Sequence, residues 1–160
     1  MPEEGSSENL ASGIYGTILS TALIAAYSED PGSDPLQVAV AVLVATVVFW
    51  IAHAYADVLA RGLVGPGGAV FAQARAELAR EWPLVLGALP PVLPLLLGPL
   101  GVISDDSAET LGIATGVAML AAWGIAIAWR RGSGLIGIAY SAGASAFFGV
   151  VVVALKALVH

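Results

Sequence analysis

Apolar residues fill this chain in long stretches, and the polar residues are confined to short gaps between them. About 18 consecutive, mostly apolar residues suffice to cross the hydrocarbon core of a bilayer as a helix. The stretches over residues 10–27, 35–61, 83–103, 108–129 and 135–158 meet that length and predict five helical spans. The first is the least apolar, because Tyr15, Gly16, Thr17, Ser20 and Thr21 interrupt it. Pro35 suits the opening turn of the second span, and Ser107 is placed to cap the fourth. The third holds Pro83, Pro90, Pro91, Pro94 and Pro99. Residues 1–9 are expected to form a disordered polar tail, and residues 10–160 read as a single transmembrane domain.

One gap has a helical period of its own. Over residues 69–82, Phe71, Ala74, Leu78 and Trp82 share one face with Arg75 at its flank, while Gln73, Glu77, Arg80 and Glu81 take the other. This amphipathic helix either lies on the membrane surface or extends the third span downward.

The charges give the spans a direction. Arg61, Arg75, Arg80, Arg130 and Arg131 occupy the second–third and fourth–fifth connections, and Lys156 is the one other basic residue. The alternate gaps carry acids: Glu29, Asp30 and Asp34 in one, Asp105, Asp106 and Glu109 in the other. Basic residues mark the cytoplasmic side of a membrane protein, which predicts an all-α polytopic transmembrane bundle of five spans, N-terminus in and C-terminus out. Tyr15, Tyr55, Trp82 and Trp129 fall near the inner boundary and Tyr27 near the outer one, as interfacial aromatics do.

Composition narrows the chemistry. At 11% charged residues the chain is far below the roughly 25% of soluble proteins, too few to cover a water-facing surface. With no cysteine, disulfides, thiolate metal sites and cysteine nucleophiles are excluded. A net charge of −6 without a basic cluster argues against nucleic acid as a partner. The segment holding Glu3, Glu4 and Glu8 lacks the positive start of a cleavable signal peptide, so the first span is expected to stay in the protein. No HExxH, GxxxxGK[ST] or GxSxG pattern occurs, so no catalytic residue, cofactor or metal ligand is assigned and enzyme activity is not expected.

Lipid gives helices no hydrophobic reason to associate, so small residues mark their contacts. Ser133, Gly137, Ser141, Ser145 and Gly149 repeat every fourth residue through the fifth span; Gly112 and Gly116 do so in the fourth, with Gly124 and Ala128 beyond Leu120; Ser12, Gly16 and Ser20 do so in the first.

Two further features suggest a site. His53, Asp57 and Arg61 form one stripe on the second span, in which Asp57 and Arg61 are spaced to pair. An ionisable group inside a span is costly and is a functional candidate for that reason. In the third span, Pro90, Pro91 and Pro94 cannot donate to the carbonyls of Leu86, Gly87 and Pro90, which then need other partners. Counting depth from the inner boundary brings His53, the Leu86–Gly87–Pro90 stretch, Thr17, Ser20, Tyr140 and Ser141 into one polar layer, the expected pathway.

The phrases Ile14-Tyr15-Gly16-Thr17-Ile18 and Trp50-Ile51-Ala52-His53-Ala54-Tyr55-Ala56, with Leu155-Lys156-Ala157-Leu158-Val159-His160, resemble small bacterial integral membrane proteins of unassigned function. The resemblance implies a bacterial inner-membrane location and no activity. From the residues, the leading expectation is a homo-oligomeric channel or transporter for a small cation or proton, embedded in the lipid bilayer. The alternative is a non-transporting scaffold or accessory protein.

Overall fold

The structure, a computed structural model, describes residues 3–28, 33–60 and 67–130, with isolated positions at 132, 134, 137, 140, 143, 144, 147 and 151. The described residues are all-α: α1 Glu3–Tyr27, α2 Pro35–Ala60, α3 Gly67–Arg80, α4 Trp82–Val92, a 3-10 segment Leu93–Leu97, and α5 Asp105–Arg130. Within them Asn9–Tyr27, Pro35–Ala60 and Asp105–Arg130 are long and apolar enough to cross a membrane. Of the expected fifth span only isolated positions are described; Ser141, Ser145 and Gly149, and Arg61 at the end of the second span, lie outside the described residues.

Helix ends follow local chemistry. The Asp34 carboxylate accepts the amide of Leu36 at 2.9 Å, and Pro35 starts α2 where a missing N–H costs nothing. α1 begins at Glu3, so the polar segment expected to be disordered is helical from that residue. The fourth span was expected from residue 108 with Ser107 as cap; α5 instead begins at Asp105. Ser104 holds the cap position, its carbonyl accepting the Ala108 amide at 2.9 Å and its hydroxyl bonding that of Ser107 at 2.7 Å. This places Asp105 and Asp106 in the first turn, where acids complement the helix dipole.

The stretch 83–103 is not one helix. The prolines at 90 and 91 are tolerated inside α4, and the chain then tightens into 3-10 geometry over Leu93–Leu97. Bonds from the Val102 amide to the Leu97 carbonyl and from Gly101 to Gly98 close it, with Gly101 at φ +69. That pair of bonds around a left-handed glycine is a Schellman-type stop.

Contacts along the helices give their relative directions. Ser12 meets Glu81 and Thr17 meets Gly87, so α1 and α4 run parallel. Gly112 of α5 lies beside Ile24, Gly116 beside Thr21, and Trp123 beside Gly13, so α5 runs against α1. α2 also runs against α4: Trp50 and His53 reach Leu78 and Glu81, while Pro35 at its start lies on Gly98. The elements therefore alternate in direction around α4 and its 3-10 extension. Ile24, Val38, Ala39, Val42, Val92, Leu95 and Ile113 form an apolar core toward the Asp105 end, and Leu84, Ala88 and Leu120 continue the buried interior.

Small residues set the spacing. A Cβ on Gly16 would overlap the Leu84 carbonyl, and one on Gly87 would overlap the Gly13 carbonyl, so α1 and α4 touch backbone to backbone. On α5, Ala108, Gly112, Gly116, Leu120, Gly124 and Ala128 are all buried, one continuous row four residues apart. Leu120 is the one large side chain in that row.

Candidate functional site

The groups expected in a single polar layer separate into two levels. The deeper level joins α1 to α4. Pro91 cannot donate to the Gly87 carbonyl, and the Thr17 hydroxyl donates there instead at 2.8 Å, sharing its proton with the Gly13 carbonyl at 3.0 Å. The Ser20 hydroxyl donates to the Thr17 carbonyl at 3.2 Å and that of Thr21 does so at 2.6 Å. Thr17, Ser20 and Thr21 are completely buried. These hydroxyls are therefore consumed by helix–helix and helix–backbone bonds. Pro90 is half-buried, and Leu86 is exposed and points away from this contact.

The shallower level lies at the junction of α3 and α4. Trp82 carries Pro83 after it, and the chain turns at Glu81 through amide bonds from Glu81 to Glu77 and from Leu84 to Glu81. The turn delivers Glu81 into the bundle with only 4% of its surface exposed. Its Oε2 accepts the Ser12 hydroxyl at 2.6 Å and lies 3.9 Å from His53 Nε2. The imidazole is half-exposed and faces the Tyr15 ring, centroids 6.3 Å apart with 25° between planes. One turn further along α2, Asp57 pairs with Arg80 at 3.2 Å, and Arg80 also pairs with Glu77 at 3.0 Å. Arg80, supplied by another helix, is thus a partner of Asp57; the expected pairing with Arg61 falls outside the described residues. The Trp50 indole donates to the Leu78 carbonyl at 2.9 Å and stands edge-on to Trp82, centroids 5.3 Å apart.

His53 and Gly87 thus do not meet. His53 is at the level of Glu81, and Gly87 lies six residues on, about 9 Å along a helix axis. Tyr140 is exposed, Ser141 is outside the described residues, and Gly137 is half-buried. Gly112 abuts Leu95 and Pro91, and Gly116 abuts Thr21.

The two faces that the sequence separates on this segment do not divide cleanly into buried and exposed. Glu77 and Glu81 are buried, whereas Phe71 is 75% exposed and Trp82 is 44% exposed. Carboxylates turn inward because their partners (Arg80, Ser12 and His53) lie there, and apolar side chains turn outward. Glu77, Glu81, Ser12 and Arg80 were thus missing from the sequence-based site. The available signal was two carboxylates four apart on a helix flush with an apolar run, where a bundle interior is the cheaper place for charge.

At the opposite end, Glu109 is also buried and accepts the Ser33 hydroxyl at 2.7 Å. It ties α5 to the residues just before α2. Asp106, Ser107, Thr110 and Leu111 line an open depression of about 430 Å³ on α5. Among the described residues, no group of three or more acidic or histidine side chains is arranged to hold a metal ion.

No protein-family model, curated protein or solved structure matches the chain.

Proposed function

We propose that this chain is a multi-pass protein of the bacterial inner membrane that serves as a non-transporting scaffold or accessory subunit. It offers a tightly packed helical unit to a partner in the bilayer rather than a path through itself. The observation that carries this reading is the α1–α4 contact. Gly16 on the Leu84 carbonyl and Thr17 on the Gly87 carbonyl bring α1 and α4 into direct contact at a level where the sequence had suggested a polar route. The freed carbonyl is repaired by a neighbouring helix, which is how bundles tolerate proline in lipid. α4 and its 3-10 extension hold 11 and 5 residues and rise about 26 Å, close to the ~30 Å hydrocarbon core. That supports counting them as a crossing beside the three long apolar helices. The arginines then orient the Arg75–Arg80 and Arg130 end inward.

The test is flux through reconstituted vesicles. Vesicles carrying the protein are expected to leak Na⁺, K⁺ and protons no faster than empty ones. Leakage above that level, abolished in Glu81→Gln and His53→Ala, would replace this reading with the second one.

The second reading is a homo-oligomeric channel or transporter for a small cation or proton, with the pathway between protomers. It is favoured by one observation, the half-exposed His53 standing 3.9 Å from the buried Glu81 carboxylate. Copies arranged around an axis would bring several such pairs together, a known way of building a cation route.

A further inference from the structure

Phe71, Arg75 and Ala79 on α3, and Trp82 just past the turn at Glu81, follow one another at intervals of four, four and three residues, a single row along the helix. All four are exposed, and so are Ala72 and Ala76 beside them. The acids of this segment have left the row: Glu77 pairs with Arg80, and Glu81 takes the Ser12 hydroxyl. Arg80 itself is committed inward to Asp57 and Glu77. The outward row is therefore a ring at each end, alanine methyls between, and one charge, which is a guanidinium.

Water is a poor environment for such a row, because it would expose a phenylalanine and a tryptophan with one guanidinium and a run of alanines between them. A plain hydrocarbon environment fails as well, because Arg75 lies between the two rings. We propose that this row is a binding site for an anionic glycerophospholipid. The guanidinium takes the phosphate in a fork of parallel hydrogen bonds, an arrangement for which arginine is better suited than lysine. The small side chain of Ala79 leaves room for the headgroup between Arg75 and Trp82. The apolar stem of Arg75 lies along the glycerol and upper acyl region, the geometry of a snorkelling side chain. Phe71 meets the acyl chain, and Trp82 sits at headgroup level as interfacial tryptophans do. A net negative headgroup is preferred to a zwitterionic one because no lipid ammonium then competes with Arg75 for the phosphate. Trp129 and Arg130, both exposed, end α5 at this same end of the bundle and repeat the pairing of an interfacial ring with a cation.

The inference rests on the membrane reading above, and the experiment separates the two. Membranes containing the full chain are washed with alkaline carbonate; release of the protein would overturn the membrane reading itself. Purified wild-type protein is then offered equal phosphatidylglycerol and phosphatidylcholine, and the lipids retained are counted by native mass spectrometry. Phosphatidylglycerol is expected to be retained about fivefold over phosphatidylcholine, the preference that one basic group near an anionic surface implies. Arg75→Ala should abolish the preference, Arg75→Lys should keep part of it, and Arg130→Ala should leave a measurable preference. Equal retention of the two lipids by the wild type, or an undiminished preference in a folded Arg75→Ala protein that resists carbonate, would overturn the proposal.

Discussion

Thr17 and Gly87 are joined by a 2.8 Å hydrogen bond that exists because Pro91 cannot make it. The Gly87 carbonyl loses its helical donor to the proline ring, and a hydroxyl from the parallel helix α1 replaces that donor. Gly87 also has to be a glycine for the hydroxyl to come this close, since a side chain there would overlap Gly13. The proline, the close approach and the hydrogen bond form one unit built from three residues.

Replacing Thr17 with Val keeps the buried volume and removes the donor. The Gly87 carbonyl is then left in an apolar contact, at a cost of about 1 kcal/mol. Thr17→Val should lower the midpoint of unfolding in detergent, while Thr17→Ser, which keeps the hydroxyl, should lose distinctly less. Equal stability of Thr17→Val and wild type would show that the bond contributes nothing net.

The small residues of α1 and α4 allow a sharper comparison. Gly16→Ala or Gly87→Ala places a methyl against a backbone carbonyl, which cannot move aside as a side-chain tip can. Each should cost on the order of 2 kcal/mol by forcing the helices apart. Gly143→Ala, where a Cβ meets nothing within 4 Å, should be neutral or slightly favourable in its helical position. Circular dichroism during thermal unfolding ranks the three, and a Gly16→Ala protein as stable as Gly143→Ala would contradict the close α1–α4 contact.

Much of this architecture was legible in the sequence. Span limits of 35–61 and 108–129 differ from α2 and α5 by a few residues, because apolar length and end chemistry are local properties. The proline stretch was legible as a source of free carbonyls, and Thr17 was among the polar residues assigned to its level. Pairing them was not, since no spacing within one helix says which hydroxyl of another helix arrives. Which α3 face turns inward was not legible for a related reason. Amphipathicity gives two faces, but which faces inward depends on the solvent outside and on partners such as Ser12 and His53, which are 69 and 28 residues away from Glu81. The i,i+4 rule pointed Asp57 at Arg61, which lies outside the described residues, and could not point to Arg80, a partner brought from a different helix.

That choice of partner is measurable. Asp57 and Arg80 are each about one-third exposed, so their pair is worth less than a fully buried one. A double-mutant cycle of Asp57→Asn and Arg80→Gln should give a coupling of roughly 0.5–1 kcal/mol in unfolding free energy. Arg80→Gln alone should cost more than Asp57→Asn alone, because it also deprives the buried Glu77 of a cation. Strict additivity of the two substitutions would mean that the 3.2 Å pair carries no energy.

The alternation of helix directions makes a prediction about sides. α5 runs against α1 and α4, so its two ends lie at opposite ends of the bundle, with Asp106 at one and Gly134 just beyond Arg130 at the other. The chain has no cysteine, so single cysteines introduced there are the sole thiols. Both positions are exposed, and a Cβ at Gly134 meets nothing within 4 Å, so neither substitution should disturb packing. Because arginines concentrate on the cytoplasmic side, Asp106→Cys should react with a membrane-impermeant maleimide added to intact cells, and Gly134→Cys only after the membrane is opened. Labelling of both cysteines in intact cells would remove the transmembrane passage of α5, and with it the orientation built on the arginines. Labelling of Gly134→Cys alone would keep the passage and invert the bundle.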